Sequence, residues 1–333
     1  MNSENLIKIF RAFVKGDSET FHRIAWDAIE EEKRKKHHLL ANQLEQILTE
    51  TSVATNLNGT RQLPPIPRDN EKGFRLLDVK KLYLDWSDVV LSRETEDALK
   101  QVVKEIQDDD LLLTYGLKPK KRILFYGPPG TGKTLSAKVM SSVIGYPLVL
   151  IRFDSVISSY LGETASNLRK VFDFIEAGKY VVLFDEFDII GKHRDDPTEH
   201  GEIKRVVNNF MLMLENYEGD SLLISSTNHP QLLDVGIWRR FDDTVYFGLP
   251  DMGKRKKIFE KYLKVMKKDN GFDLSTILKQ TEKFSGSDIE QACVESLKRT
   301  VLTGKDVLSL NTLIDAVAKQ KKKARAKKVI RYG

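Results

Sequence analysis

The chain has 333 residues, a formal net charge of +6 and a single cysteine, Cys293. That length predicts two or three domains, while one cysteine excludes an internal disulfide and fits a reducing compartment. No run of about 18 apolar residues exists to span a bilayer, and the start "MNSENLIKIFRAFVKGD" lacks an apolar stretch ending at a cleavage site, so a cytoplasmic protein without membrane attachment is expected.

Residues 3–57 contain Gly16 but otherwise no glycine or proline, and place apolar residues at helical spacing (Leu6, Ile9, Phe10, Phe13, then Phe21, Ile24, Ala25, Ile29). "GDSE" at 16–19 breaks this run and supplies a helix cap, which predicts two or three helices in an N-terminal helical domain, 1–57. "NGTRQLPPIPRDNEKG" (58–73) concentrates Pro, Gly and polar residues and predicts a linker, extended to 58–84. From Asp85 the texture changes. A helix at 92–107 precedes short β-rich runs, "RILFYG" (122–127), "PLVLIRF" (147–153), "YVVLFDE" (180–186) and "SLLISSTN" (221–228). Their continuous apolar character predicts strands buried on both faces, and their alternation with helical segments predicts a parallel sheet with right-handed crossovers. "TVYFGLPD" (244–251) is a candidate last strand. Helical patterns at 253–268, 274–280, 286–302 and 309–320, with no strands between them, predict a small all-α domain. The fold class is therefore α/β, a P-loop parallel sheet with two helical appendages. Residues 318–333 hold eight Lys or Arg and no acid, which leaves the remainder of the chain at −2; the basicity is a tail.

"GPPGTGKT" (127–134) lies between a strand and a helix, where a phosphate-binding loop belongs. Its glycines let backbone N–H groups face an anion at a helix N-terminus, Lys133 can reach the β/γ-phosphates, and Thr134 can hold magnesium. Gly127, Pro128, Pro129, Gly130, Thr131, Gly132, Lys133 and Thr134 are the candidate ATP contacts; the plain alternative is a Gly-rich turn. "VVLFDEFD" (181–188) ends an apolar strand with two acids. Asp185 can orient water on Mg2+, joining Thr134 as a metal ligand, and Glu186 can polarise the attacking water; a solvated strand end is the alternative. Asp188 reads as a cap or surface acid. "SSTN" places the amide of Asn228 at the same edge of the sheet.

"GPPGTGKT", "VVLFDEFD", "ISSTN", "RRFD" and "FSGSDIEQA", in this order and spacing, resemble the ATPase module of the AAA family, over roughly residues 85–300. The resemblance implies an AAA+ α/β domain at 85–248, an α-helical lid at 249–320 and a basic tail at 321–333. It implies a homo-oligomeric ring, typically a hexamer, with ATP and Mg2+ at the subunit interfaces. Asp88, Gly286 and Ser287 join the nucleotide-binding set, Gly286 and Ser287 standing where other relatives carry an arginine sensor. Asn228 becomes a γ-phosphate sensor. Arg239 and Arg240 become candidates for the arginine that enters a neighbour's site, with Arg240, next to Phe241, placed first. Here the chain departs from the family pattern, which separates the two arginines by a proline and a glycine; an ion pair with Asp242 or Asp243 is the plainer role for either. A second departure is "LENYEG" (214–219), where signalling relatives carry Asp-Gly-Phe.

"SSYLGETASNLRKVF" (158–172) resembles the first pore loop, which implies that Tyr160, Leu161 and Gly162 grip a polypeptide; a core aromatic is the alternative for Tyr160. "GKHRDDPTEHG" (191–201) would be a second channel loop, its His193 and His200 matching no metal spacing. The function implied is ATP-driven remodelling, unfolding or translocation of a protein substrate. No His-Glu-x-x-His or Gly-x-Ser-x-Gly is present, so any protease partner is a separate chain. A nucleic-acid remodeller acting through the basic tail, and a nucleotide-dependent scaffold, are the alternatives; continuation of the last helix is the plainer reading of the tail.

Overall fold

The computed structural model describes residues 24, 25, 27, 65–69, 73–156, 161–187 and 200–332. The chain divides into two compact units, Met1–Pro64 and Pro65–Gly333. Ile24, Ala25 and Asp27 in the first are helical; the rest of the N-terminal expectation lies outside the described residues. The fold set out here is that of the second unit.

Strand β1 (Leu77–Lys80) comes first, inside the segment read as linker. A 3-10 turn at Trp86–Asp88 follows, closed by a reciprocal cap between Asp85 and Asp88. Helix α1 (Arg93–Gln107) begins at Ser92, whose hydroxyl accepts the Thr95 N–H at 3.0 Å. Helix α2 (Asp109–Thr114) leads to β2 (Arg122–Tyr126). Helix α3 (Lys133–Ile144) is bounded by Gly132 and Gly145, both in the left-handed region. Then come β3 (Leu148–Ile151), α4 (Phe153–Val156), α5 (Leu161–Glu176), β4 (Val181–Phe184), α6 (His200–Glu215), β5 (Leu222–Thr227), α7 (Val235–Trp238) and β6 (Asp243–Tyr246).

The sheet order is β1-β3-β4-β5-β2-β6. All neighbours are parallel except β1, which pairs antiparallel with β3. Alternation along the central strands divides their side chains between two layers. Ile123, Phe125, Val181, Leu183, Leu222 and Ile224 face the layer of α1 and α3, with Leu99, Val102, Ala137 and Met140. Leu124, Val182, Phe184 and Leu223 face the layer of α5 and α6, with Leu168, Phe172, Phe210 and Leu214. Each fully buried side chain of this size contributes roughly 1.5–3 kcal/mol, so the strands have no polar face. Polar groups collect at the strand ends.

The lid comprises α8 (Met252–Leu263), β7 (Lys267–Lys268), α9 (Ser275–Gln280), α10 (Gly286–Leu302), β8 (Val307–Leu308) and α11 (Leu310–Tyr332) around one apolar cluster that includes Phe259, Ile277, Ile289, Cys293 and Leu313. One detail differs from the strand-free helical expectation. The pattern at 253–268 stops as a helix at Leu263, because Lys267 and Lys268 pair with Val307 and Leu308 in a two-stranded sheet. Helix α11 runs on to Tyr332, so the basic tail continues the last helix, the plainer of the two readings of that segment. Among the described residues, no helix is long and apolar enough to cross a membrane.

Candidate functional site

The phosphate loop is shaped by what its glycines allow. Gly127 has φ 139°, and a Cβ there would lie 2.2 Å from the Phe247 carbonyl oxygen, so the chain beyond β6 passes too close for any side chain. Gly130 and Gly132 hold φ values of 75° and 103°. Lys133 is 5% exposed, and its ammonium donates to the Gly127 and Pro128 carbonyl oxygens at 2.8 and 2.9 Å. Thr131 Oγ1 donates to the Pro128 carbonyl at 2.8 Å. No side chain caps α3, so its first-turn N–H groups remain for an anion.

Strand β5 lies between β2 and β4, so the loop after β2 and the acids after β4 meet across its end. Thr134 Oγ1 donates to Asp185 Oδ2 at 2.7 Å. Ser226 Oγ, from β5, and the Glu186 N–H donate to Asp185 Oδ1. Ser226 carries no signal of its own in the sequence; the order of strands brings it to Asp185. Glu186 is exposed and is the one non-glycine residue with positive φ, 53°, among the described residues. Such a conformation costs about 1–3 kcal/mol and survives where surrounding contacts impose it. Here Phe187 supplies them: its side chain is fully buried and its N–H donates to the Ser226 carbonyl at 2.8 Å.

A cavity of about 470 Å3 is lined by Asp88, Gly130, Lys133, Thr134, Asp185, Glu186 and Asn228 from the core, and by Lys261, Tyr262, Gly286, Ser287 and Glu290 from the lid. It brings together the predicted phosphate, metal and water-activating residues. An adjoining cavity of about 320 Å3 shares Thr131, Ile258 and Gly286 with the loop and lid but reaches neither Lys133 nor Asp185.

The lid touches the phosphate loop through backbone. The Ser287 N–H donates to the Gly130 carbonyl at 3.0 Å. A Cβ on Gly286 would sit 3.3 Å from that same oxygen, and one on Gly130 would sit 2.8 Å from Ser285 Oγ and Ser287 Cβ. Lys261 donates to the Ser87 carbonyl at 3.1 Å and to the Asp88 carbonyl, with its ammonium 3.4 Å from Asp88 Oδ1. Burial, reinforced by Glu290, pushes the Tyr262 hydroxyl up to about 12, so it stays a neutral donor at the rim.

The Thr134 hydroxyl and Asp185 carboxylate suit Mg2+, which takes few protein oxygens and completes its shell with phosphates and water. No group of three or more His, Cys, Asp or Glu that could cage a metal occurs among the described residues.

Arg239 and Arg240 do not line this cavity. Neither makes the ion pair weighed for it. Asp242 pairs with Arg122 at 2.6 Å and Asp243 with Lys120 at 2.7 Å, and the carboxylate holds the Lys120 ammonium above the usual lysine range. Tyr160, Asp188 and most of the second channel loop lie outside the described residues; Leu161 and Gly162 open α5.

The model of the family described as "ATPase family associated with various cellular activities (AAA)" matches residues 123–249. An uncharacterized AAA family ATPase, y4kL, of Sinorhizobium fredii is 35% identical over 287 residues, 86% of each chain. The proteasome-activating nucleotidase of Saccharolobus solfataricus is 29% identical over 277 residues, 80% of this chain and 70% of that protein. Peroxisomal ATPase pex6 of Schizosaccharomyces pombe is 31% identical over 261 residues, 75% of this chain and 26% of that protein. The family match spans both the phosphate loop and the acid pair, and similarity at this level extends across most of the first relative, so this chain belongs to the AAA family and is an ATP-hydrolysing enzyme.

Proposed function

We propose that identical copies of this chain form a ring, hexameric by family resemblance, that hydrolyses ATP at sites shared between neighbours and uses the resulting lid movement to unfold or translocate a protein. In this reading Lys133 and the N–H groups of the loop bind the phosphates, and Thr134 and Asp185 hold Mg2+. The ion, when bound, offsets phosphate charge. Glu186 accepts a proton from the attacking water, Asn228 aligns that water or the γ-phosphate, and an arginine of the 239–240 pair, supplied by the neighbour, stabilises charge developing on the transferring group. Tyr160, Leu161 and Gly162 grip the polypeptide, and the N-terminal helical region recruits substrate or a partner, among them a separately encoded protease.

The observation that carries the shared site is the absence of Arg239 and Arg240 from the lining of the cavity that holds Lys133, Asp185 and Glu186. Support for a protein substrate comes from the name of one relative, a nucleotidase that activates the proteasome. Turnover measured with an unfolded protein and with duplex DNA tests the reading. The unfolded protein is expected to stimulate hydrolysis several-fold, and Tyr160→Ala to abolish that stimulation. Stimulation by DNA alone would replace this reading with nucleic-acid remodelling through the basic end of α11, whose Lys321–Lys323 are exposed. The native mass of Glu186→Gln with ATP tests the ring.

A further inference from the structure

From Ile237 to Asp242 every side chain except that of Arg239 is tied down inside the protomer. Ile237 is buried. Trp238 stands edge-on to Tyr126, the residue before Gly127, with ring centroids 5.0 Å apart, and its indole N–H donates to the Leu233 carbonyl at 3.3 Å. Arg240 donates from Nη1 to the Gly236 carbonyl at 2.8 Å and from Nε to Glu215 at 3.2 Å. Phe241 is buried edge-on to Phe187, the residue after Glu186, at 6.3 Å. Asp242 accepts from the backbone N–H groups of Lys121 and Arg122, both at 2.9 Å, besides the Arg122 guanidinium. Arg239 is exposed, and its guanidinium makes no hydrogen bond or ion pair with the described residues.

We infer that the arginine pair is divided: Arg239 is the guanidinium offered to the neighbouring protomer's nucleotide, and Arg240, Trp238 and Phe241 are positioning residues that aim it. The inference rests on the shared-site reading and reverses the order in which the sequence ranks the two arginines. Arg239 closes α7 with helical dihedrals, φ −69° and ψ −12°. Arg240 is already committed to the Gly236 carbonyl and to Glu215, so the two guanidinium groups are not both available to one phosphate. Only a side chain with no internal partner can go to a neighbour without breaking bonds at home. The Arg240–Glu215 pair is half-exposed and worth little by itself; the carbonyl bond and the two aromatic anchors supply the rigidity. Those anchors join the turn to the residues flanking the phosphate loop and the catalytic glutamate. The arginine lent to the next site is therefore held by the lender's own site.

The test uses full-length chains. Arg239→Ala should lower kcat at least about 100-fold with KM for ATP little changed, the pattern of a contact made only in the transition state. Mixing it with Lys133→Ala, itself inactive, should restore part of the turnover, because some interfaces then combine an intact pocket with an intact arginine. Arg239→Lys should stay inactive, lacking the planar fork. Arg240→Ala should lose about tenfold, and Arg240→Lys should regain most of it, since an ammonium can also donate to the Gly236 carbonyl. Trp238→Ala should lower kcat without raising KM, and Trp238→Phe should recover it.

An active Arg239→Ala, losses at the two arginines that are equal and not restored by lysine, or a Trp238→Ala with wild-type kcat would overturn the division. Arg239 is exposed, so its variant decides the matter even if the others fold poorly. Failure of the shared-site reading looks different: no mixture regains turnover and isolated protomers hydrolyse ATP at the wild-type rate.

Discussion

The α/β core and the lid face each other across the cavity that Lys133 and Asp185 line but are built on different plans. Core strands divide their side chains between two apolar layers, so polar groups gather where strands end and α3 begins, and there Thr134, Asp185, Ser226 and Glu186 are fixed by one another and by Phe187. The lid packs round a single cluster, meets the phosphate loop through the Ser287 N–H and the bare Cα of Gly286, and meets the turn before α1 through Lys261. In the proposed reading the chemistry belongs to side chains of the core, while the lid contributes geometry. Damage to the acids of the core should appear in turnover, damage to the phosphate loop in binding and turnover together, and damage to the lid in nucleotide affinity.

The largest expected effects sharpen that contrast from the core side. Lys133→Ala should abolish ATP binding. Glu186→Gln should bind ATP normally while turnover falls by about 100-fold or more, the usual scale for removing a general base; a Glu186→Gln enzyme of near-normal kcat would break the comparison. From the lid side, Gly286→Val sets a branched side chain against the Gly130 carbonyl, 3.3 Å from the new Cβ. Overpacking of about 1–2 kcal/mol should raise KM for ATP by roughly tenfold, with kcat changed less. A fall in kcat at constant KM would put the lid among the catalytic groups.

Smaller effects follow. Lys261→Ala removes a half-exposed bridge to Asp88, and a change of about two- to fivefold in nucleotide affinity by calorimetry is expected. The last prediction concerns pH. Burial, with Glu290 nearby, pushes the Cys293 thiol from an ordinary 9.0 up to about 12. The unfolded thiol then ionises at lower pH than the folded one, so the unfolded state binds fewer protons between these values and lid stability falls as pH rises from about 9 towards 12. Thermal unfolding followed across that range should steepen accordingly, and Cys293→Ala should flatten the slope. At pH 8 a thiol reagent should label Cys293 only after denaturation.

How readily each part could be read follows from how its residues are spaced. Gly127–Thr134 and Asp185–Glu186 are contiguous, and each sits where an apolar strand stops, so local pattern suffices. Strand β1, "LDVK", has too little apolar character to stand out; pairing with β3 makes it a strand. The strands β7 and β8 are two residues each and have no local signature; each takes its form from the other. Ser226 becomes a ligand of Asp185 only because β5 separates β4 from β2.

The arginine turn marks the boundary. From "IWRRFDD" the charge, the adjacency and the missing spacer are legible, and with the phosphate loop and acid pair they already specify an ATPase of this family. Which guanidinium is held and which is offered depends on Glu215, on Tyr126, far upstream, and on the carbonyl of Gly236. Short-range chemistry is written in neighbouring letters because a loop or a strand end is a local object. The direction of a side chain is set by groups brought close in space, and only the folded sheet brings these together.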